Sequence, residues 1–123
     1  MPDNFDDVGT NTLQGYRWHP SQPPILLRDS ADAPGMYTIT ASVPDGTKAI
    51  TFCWRLTAAA NGYYGVVWDV TSTGLYGFVQ VQVANTWVAA SGPVPLDADK
   101  KFKIQVVGGP LAGQVFLQTG YYL

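Results

Sequence analysis

The sequence predicts an all-β fold: an antiparallel two-sheet β-sandwich or jelly roll of about eight strands, preceded by an extended amino-terminal arm. Three observations predict it. All nine acidic residues are Asp and charged residues make up only 13% of the chain, so the side chains that favour exposed helix are scarce. Val, Thr, Tyr and Trp, which suit a pleated surface, are plentiful. Apolar and polar residues alternate with period two in segment after segment, with turn chemistry roughly every ten residues. A length of 123 residues is enough for one sizeable core and not for two.

Residues 1–24 read as the arm and residues 25–123 as the sandwich. Pro20, Pro23 and Pro24 argue against a helix or a central strand there, and Tyr16 and Trp18 stand before them as aromatic anchors. An ordered segment with so little periodicity needs something to hold it. That is its own domain or a neighbouring subunit, and the expectation is an interface arm of Tyr16, Trp18, Pro20, Pro23 and Pro24 docked on another subunit or on a partner lattice.

From Ile25 the alternation begins. Ile25–Arg28 is a short strand; Tyr37, Ile39, Ala41 and Val43 then alternate with Thr38, Thr40 and Ser42. Pro44-Asp45-Gly46 makes a turn, Pro presetting one corner and Gly accepting φ > 0 at the next. Ile50, Phe52, Trp54 and Leu56 point one way from the following strand, against Thr51, Cys53 and Arg55. Tyr63–Val70 places Tyr64, Val66, Trp68 and Val70 on one face, and Leu75–Val83 turns Val79, Val81 and Val83 inward. Ala84-Asn85-Thr86 is short enough for a hairpin into Trp87–Ala90, and Ser91–Asp99 reads as a crossing loop. Phe102, Ile104 and Val106 form the next strand and Gln114–Tyr122 the last. The expected core is Ile50, Phe52, Trp54, Leu56, Val66, Trp68, Val79, Val81, Phe102, Ile104 and Val115.

Several function classes drop out. A net charge of −2 with seven scattered basic residues gives no footprint for a phosphate backbone, so nucleic acid is not an expected partner. No apolar run approaches the ~18 residues of a spanning helix, and the start of the chain is acidic and polar where an export signal is basic and then apolar. A single histidine, His19, between Trp18 and Pro20 offers no Ser-His-Asp set; one His and one Cys offer no zinc site. Cys53, in an apolar alternating run, reads as a small buried hydrophobe. Asp29, Asp32 and Asp69 read as turn residues rather than a glycosidase pair, and Asp6-Asp7 and Asp97-Ala98-Asp99 as loop carboxylates rather than a calcium loop. No cofactor, metal or catalytic residue is expected.

The unusual feature is aromatic: four Trp, seven Tyr and five Phe, with Tyr and Gly clustered at 61–65, 73–78 and 119–122. Neighbouring rings such as Tyr63 and Tyr64 must point to opposite faces of a strand. A ring left outside stacks on a sugar or packs against another subunit. Tyr63 and Trp87 are the candidate rings, with Asn61, Gln82 and Asn85 as polar companions.

The stretch Val43-Pro44-Asp45-Gly46-Thr47-Lys48-Ala49-Ile50 and the closing Gly120-Tyr121-Tyr122-Leu123 resemble β-sandwich modules of bacteriophage virion proteins, including tail and head fibres and capsid decorations, over the last two thirds of the chain. That resemblance implies homo-oligomerisation, often trimeric, and attachment to a capsid or a host-surface glycan. The reading is therefore a non-enzymatic structural or adhesion module on a virion surface, or otherwise extracellular. A carbohydrate-binding module or lectin is the alternative.

Overall fold

The computed structural model describes residues 12–13 and 15–123, which form nine strands and no helix. They are β1 (Thr12–Leu13), β2 (Tyr16–Arg28), β3 (Gly35–Thr40), β4 (Ala49–Thr57), β5 (Tyr64–Trp68), β6 (Leu75–Gln80), β7 (Val88–Pro95), β8 (Lys101–Val107) and β9 (Gly113–Tyr122). A five-stranded sheet in the order β1-β2-β9-β4-β7 faces a four-stranded sheet in the order β3-β8-β5-β6, and the paired strands run antiparallel. The protein is an all-β sandwich, as its alternation requires.

The core follows from the inward registers. Ile50, Phe52, Trp54 and Leu56 of β4 are fully buried against Val67, Val79, Phe102, Ile104 and Val106 from the other sheet. Phe116 of β9 is the hub, its ring 5.2 Å from Phe52, 5.6 Å from Trp54 and 5.4 Å from Phe102 across the sandwich. Such tilted and offset aromatic contacts add to simple area burial. The predicted turn before β4 also forms: Gly46 has φ 85° and the Thr47 amide donates to the Pro44 carbonyl.

Four expectations need correction. Tyr16–Pro24 is not an arm separate from the sandwich, because it is the first part of β2, which pairs with this chain's own β9. The prolines are accommodated by a break in the ladder, the register shifting between Pro20 and Ile25 so that Pro23 and Pro24 need donate no ladder hydrogen bond. The boundary between residues 24 and 25 thus falls inside a strand, while residues 1–11 of the expected arm lie outside the described residues. Ser91–Pro95 is strand rather than crossing loop, and it is tolerated because β7 is an edge strand where Pro93 and Pro95 can leave their nitrogens unpaired. Ala84-Asn85-Thr86 does not close a hairpin, since β6 and β7 belong to different sheets.

The fourth correction concerns faces. In β5 it is Gly65 and Val67 that turn inward, because the Trp54 indole fills the space where a side chain at 65 would project. Trp68 is consequently half-buried on the outer face, its indole N–H donating to Gln105 Oε1 at 3.0 Å. Val66 is buried yet sits on that same outer face, paired with Phe78 and Gln105. In β9 the inward residues are Gln114, Phe116 and Gln118, leaving Val115 half-buried outside. Cys53 is likewise only half-buried, on the outer face between Leu117 and Ser91.

Two glutamines occupy core positions because each is satisfied. Gln118, fully buried, donates to Ser21 Oγ and to the Ser42 carbonyl and accepts from the Ser42 amide, each at 3.0 Å. It ties β2 and β9 to the chain leaving β3. Gln118→Ala is expected to cost about 2 kcal/mol, since the buried Ser21 hydroxyl loses its donor and the Ser42 amide and carbonyl lose the bonds that tie them to β9; urea unfolding of the two proteins measures the difference.

Candidate functional site

The outer face of the five-stranded sheet carries a groove of about 430 Å³ lined by Trp18, Thr51, Phe52, Ser91, Gly92, Pro93, Thr119 and Tyr122. It crosses the strands, taking residues from β2, β9, β4 and β7 in turn. Its construction depends on an irregularity in the ladder. Thr51 pairs with Gly120 but Phe52 pairs with Gln118, so Thr119 is an extra residue in β9. A bulge of this kind re-aims side chains; here it brings the Thr119 hydroxyl to Thr51 Oγ1 at 2.9 Å.

Gly120 completes the cradle. A Cβ at this position would collide with the Trp18 indole, so only glycine lets the ring lie against β9. Trp18 Nε1 then donates to Thr51 Oγ1 at 3.1 Å. Accepting from both Trp18 and Thr119, the Thr51 oxygen keeps its own O–H free to donate. Tyr122 stands across from Trp18 in the β2–β9 register and Ser91 and Pro93 close the far side on β7. The lining holds no Asp, Lys, Arg or His side chain. It is a pinned indole beside the hydroxyls of Thr51, Ser91, Thr119 and Tyr122, of which Thr51 is left to donate and Thr119 to accept, at a volume within the ~300–1,000 Å³ of small-molecule sites.

Of the expected arm anchors, Trp18 therefore forms part of this groove, and Tyr16 is half-buried under the Lys48 ammonium, 5.7 Å from the ring centroid. Pro20 is exposed opposite Gly120, and Pro23 and Pro24 are exposed in the break of β2. Thr51 and Ser91 escape a reading of the sequence, and Thr119 and Tyr122 stand out there only as part of the ring-and-glycine cluster at 119–122, because only the bulge and the pairing of β7 bring the four together.

The second candidate group is assembled at the end of the sandwich where the loops after β4 and β6 meet. The Gly62 amide donates to the Val81 carbonyl and the Asn85 amide to that of Ala58, both at 2.8 Å. Asn61, Gln82 and Asn85 are exposed there, and Asn85 takes a left-handed φ of 64°, a conformation that Asn tolerates better than most residues. Tyr63 is half-buried, its ring covering Gly108 and Gly109, so it presents no free face of the kind expected. Trp87 is 55% exposed with its ring edge on Gly113.

The carboxylates considered for catalysis are occupied by their own loops. Asp69 accepts from the Thr71 and Thr73 hydroxyls and from the Thr73 and Gly74 amides. Asp32 is held by Arg28, Ser30 and Gln114. Among the described residues no three His, Cys, Asp or Glu side chains converge as a metal site would require, and no helix is long and apolar enough to cross a membrane.

No family model matches the chain, and no curated protein matches it. Among solved structures, the fold is similar to a carbohydrate-binding module from Cellvibrio mixtus lichenase 5A in complex with cellotriose, at 14% identity and a TM-score of 0.42, over 86% of this chain and 88% of that one.

Proposed function

We propose that this protein is a non-enzymatic carbohydrate-binding module that holds an uncharged saccharide in the groove of the five-stranded sheet. The observation that carries the reading is the Trp18 ring, seated on Gly120 and locked by Thr51, with the hydroxyls of Thr51, Thr119 and Ser91 beside it. A sugar offers an apolar C–H face to stack on an indole and a rim of hydroxyls to exchange hydrogen bonds with. Because Trp18 is held by its own hydrogen bond, little ordering entropy is lost when a ligand arrives. The uncharged lining favours a neutral saccharide over a uronic or sialic acid.

Isothermal titration against a panel of neutral and acidic oligosaccharides tests this. Wild type is expected to bind neutral members, and Trp18→Ala to weaken binding about tenfold, the equivalent of ~1.4 kcal/mol for one lost aromatic contact. Thr51→Val should also weaken it while circular dichroism stays unchanged. Binding to no neutral glycan, or equal binding by Trp18→Ala, would overturn the reading.

The virion structural module stays as the second reading because of one observation: exposed Leu75, Tyr76 and Phe78 on the edge strand β6 suit burial between copies of the chain.

A further inference from the structure

A threonine hydroxyl has one proton to give and two lone pairs to receive with. At Thr51 both lone pairs are in use, one taken by Trp18 Nε1 at 3.1 Å and the other by the Thr119 hydroxyl at 2.9 Å. Its proton has no acceptor among the described residues, and the side chain lines the groove. Thr119 has given its proton to Thr51 and keeps lone pairs. The two side chains therefore turn unlike sites to the groove, one donor and one acceptor, on oxygens 2.9 Å apart. Reversing the bond between them exchanges the roles and leaves the sum unchanged, since one proton lies between the hydroxyls and one points outward. The Trp18 N–H is committed to Thr51 and adds no second donor.

The spacing is held rather than sampled. Both residues are β-branched and half-buried, so each has few rotamers, and their own hydrogen bond joins them. The bulge at Thr119 fixes the side from which that hydroxyl arrives.

A ligand that satisfies both sites must accept at one oxygen and donate at the next. Ether, ester and glycosidic oxygens only accept, and would set a lone pair against the acceptor half of the pair. Two hydroxyls on neighbouring carbons of a pyranose, when gauche, hold their oxygens at about the ~2.8 Å separation of a hydrogen-bonded pair. Such a vicinal diol takes both sites at once, one oxygen accepting from Thr51 and its neighbour donating to Thr119. Thr51 stands at the Nε1 edge of the Trp18 indole, so the same sugar is within reach of the ring.

We infer that Thr51 and Thr119 make the groove a reader of unsubstituted vicinal diols, and hence of 1,4-linked in preference to 1,3-linked neutral chains; the inference rests on the groove being a saccharide site and names the class of chain it takes. In a 1,4-linked hexose chain every internal unit keeps its 2,3-diol. In a 1,3-linked chain the linkage consumes O3, and the hydroxyls left on an internal unit are not neighbours.

Depletion isotherms on insoluble linear glucans test this, with amorphous cellulose and curdlan as the β-linked pair and amylose and a linear α-1,3-glucan as the α-linked pair. Wild type is expected to bind the 1,4-linked member of a pair at least tenfold more tightly than its 1,3-linked counterpart, the effect of one or two neutral hydrogen bonds. Thr119→Val, which keeps a β-branched residue in the strand, is expected to lower that affinity about tenfold and to leave the weaker one unchanged, so that the preference disappears; Thr119→Ser restores it. A thermal melt matching wild type shows the valine variant to be folded, and if it is not, the wild-type preference and the serine variant decide. Equal affinity for both linkages overturns the inference and leaves the saccharide groove standing, as does a preference that Thr119→Val does not change. Binding to none of the four glucans also overturns it, alone if the neutral oligosaccharides bind and together with the saccharide reading if they do not.

Discussion

Trp54→Ala is expected to remove about 3–5 kcal/mol of stability, the range for truncating a large buried aromatic. The indole is fully buried at the centre of β4, 5.6 Å from Phe116, and it fills the space that Gly65 of the opposite sheet leaves open. Collapse into the resulting cavity is obstructed, because glycine has no side chain to move and the neighbouring Leu56 is itself fully buried. The change also strands a hydrogen bond: Trp54 Nε1 donates to Gln114 Oε1 at 2.9 Å in the core, and alanine leaves that oxygen without its donor. A domain with a total stability of ~5–15 kcal/mol loses a large fraction of it. Thermal melts followed by near-ultraviolet circular dichroism should show a midpoint lower by 10 °C or more, on the order of 4 °C for each kcal/mol. A fall of only a few degrees would mean that the ring is not the keystone its burial indicates.

Asp32→Ala should destabilise by about 3 kcal/mol through the polar network that joins the loop after β2 to the core. The Asp32 carboxylate receives the Arg28 guanidinium at 2.5 and 2.7 Å, the Ser30 hydroxyl at 2.9 Å, and the Gln114 amide. Removing it leaves Arg28 unpaired beside the Tyr37 ring and costs buried Gln114 one of its two acceptors, the Ser30 carbonyl being the other. The same group predicts acid sensitivity. Desolvation alone would push the carboxyl up, but the hydrogen bonds from Arg28, Ser30 and Gln114, together with the Arg28 charge, hold it below its ordinary value. The unfolded chain therefore takes up the proton at higher pH than the folded one. The stabilisation is complete above the ordinary Asp value of about 3.9 and drains away as pH falls through the lower folded-state value. Guanidinium unfolding at pH 6 and pH 3 should show a larger acid loss for wild type than for Asp32→Asn, which cannot titrate. Equal losses would remove Asp32 from the account.

What the local pattern conveys is clearest in β4. Ile50, Phe52, Trp54 and Leu56 alternate without interruption, and their burial needs no knowledge of any partner strand. Phe102, Ile104 and Val106 in β8 behave the same way. In β5 the pattern misleads. Tyr64, Val66 and Trp68 look like the inward set, yet the strand turns Gly65 and Val67 to the core, because Trp54 needs the volume that glycine leaves. In β9 two glutamines outcompete Val115 for the interior, which the amides tolerate only because Ser21, Ser42, Trp54 and Asp32 supply partners far away in sequence. Hydrophobicity ranks residues one at a time, whereas burial of a polar group is decided by partners that the chain supplies only on folding.

The candidate groove divides along the same line. The sequence alone determined an all-β sandwich, a core centred on β4, and a chain rich in rings and poor in charge. It also singled out Trp18, though as an anchor for a neighbouring subunit. Only the tertiary structure decided that Trp18 lies on Gly120, that an extra residue at Thr119 turns its hydroxyl toward Thr51, and that Ser91 and Pro93 close the far side. Period two fixes which face of its own strand a residue occupies, but register, bulges and the order of strands are set by packing between segments far apart in sequence, Trp18 and Thr51 or Trp18 and Tyr122 among them, and a groove across four strands exists only once all of them are placed.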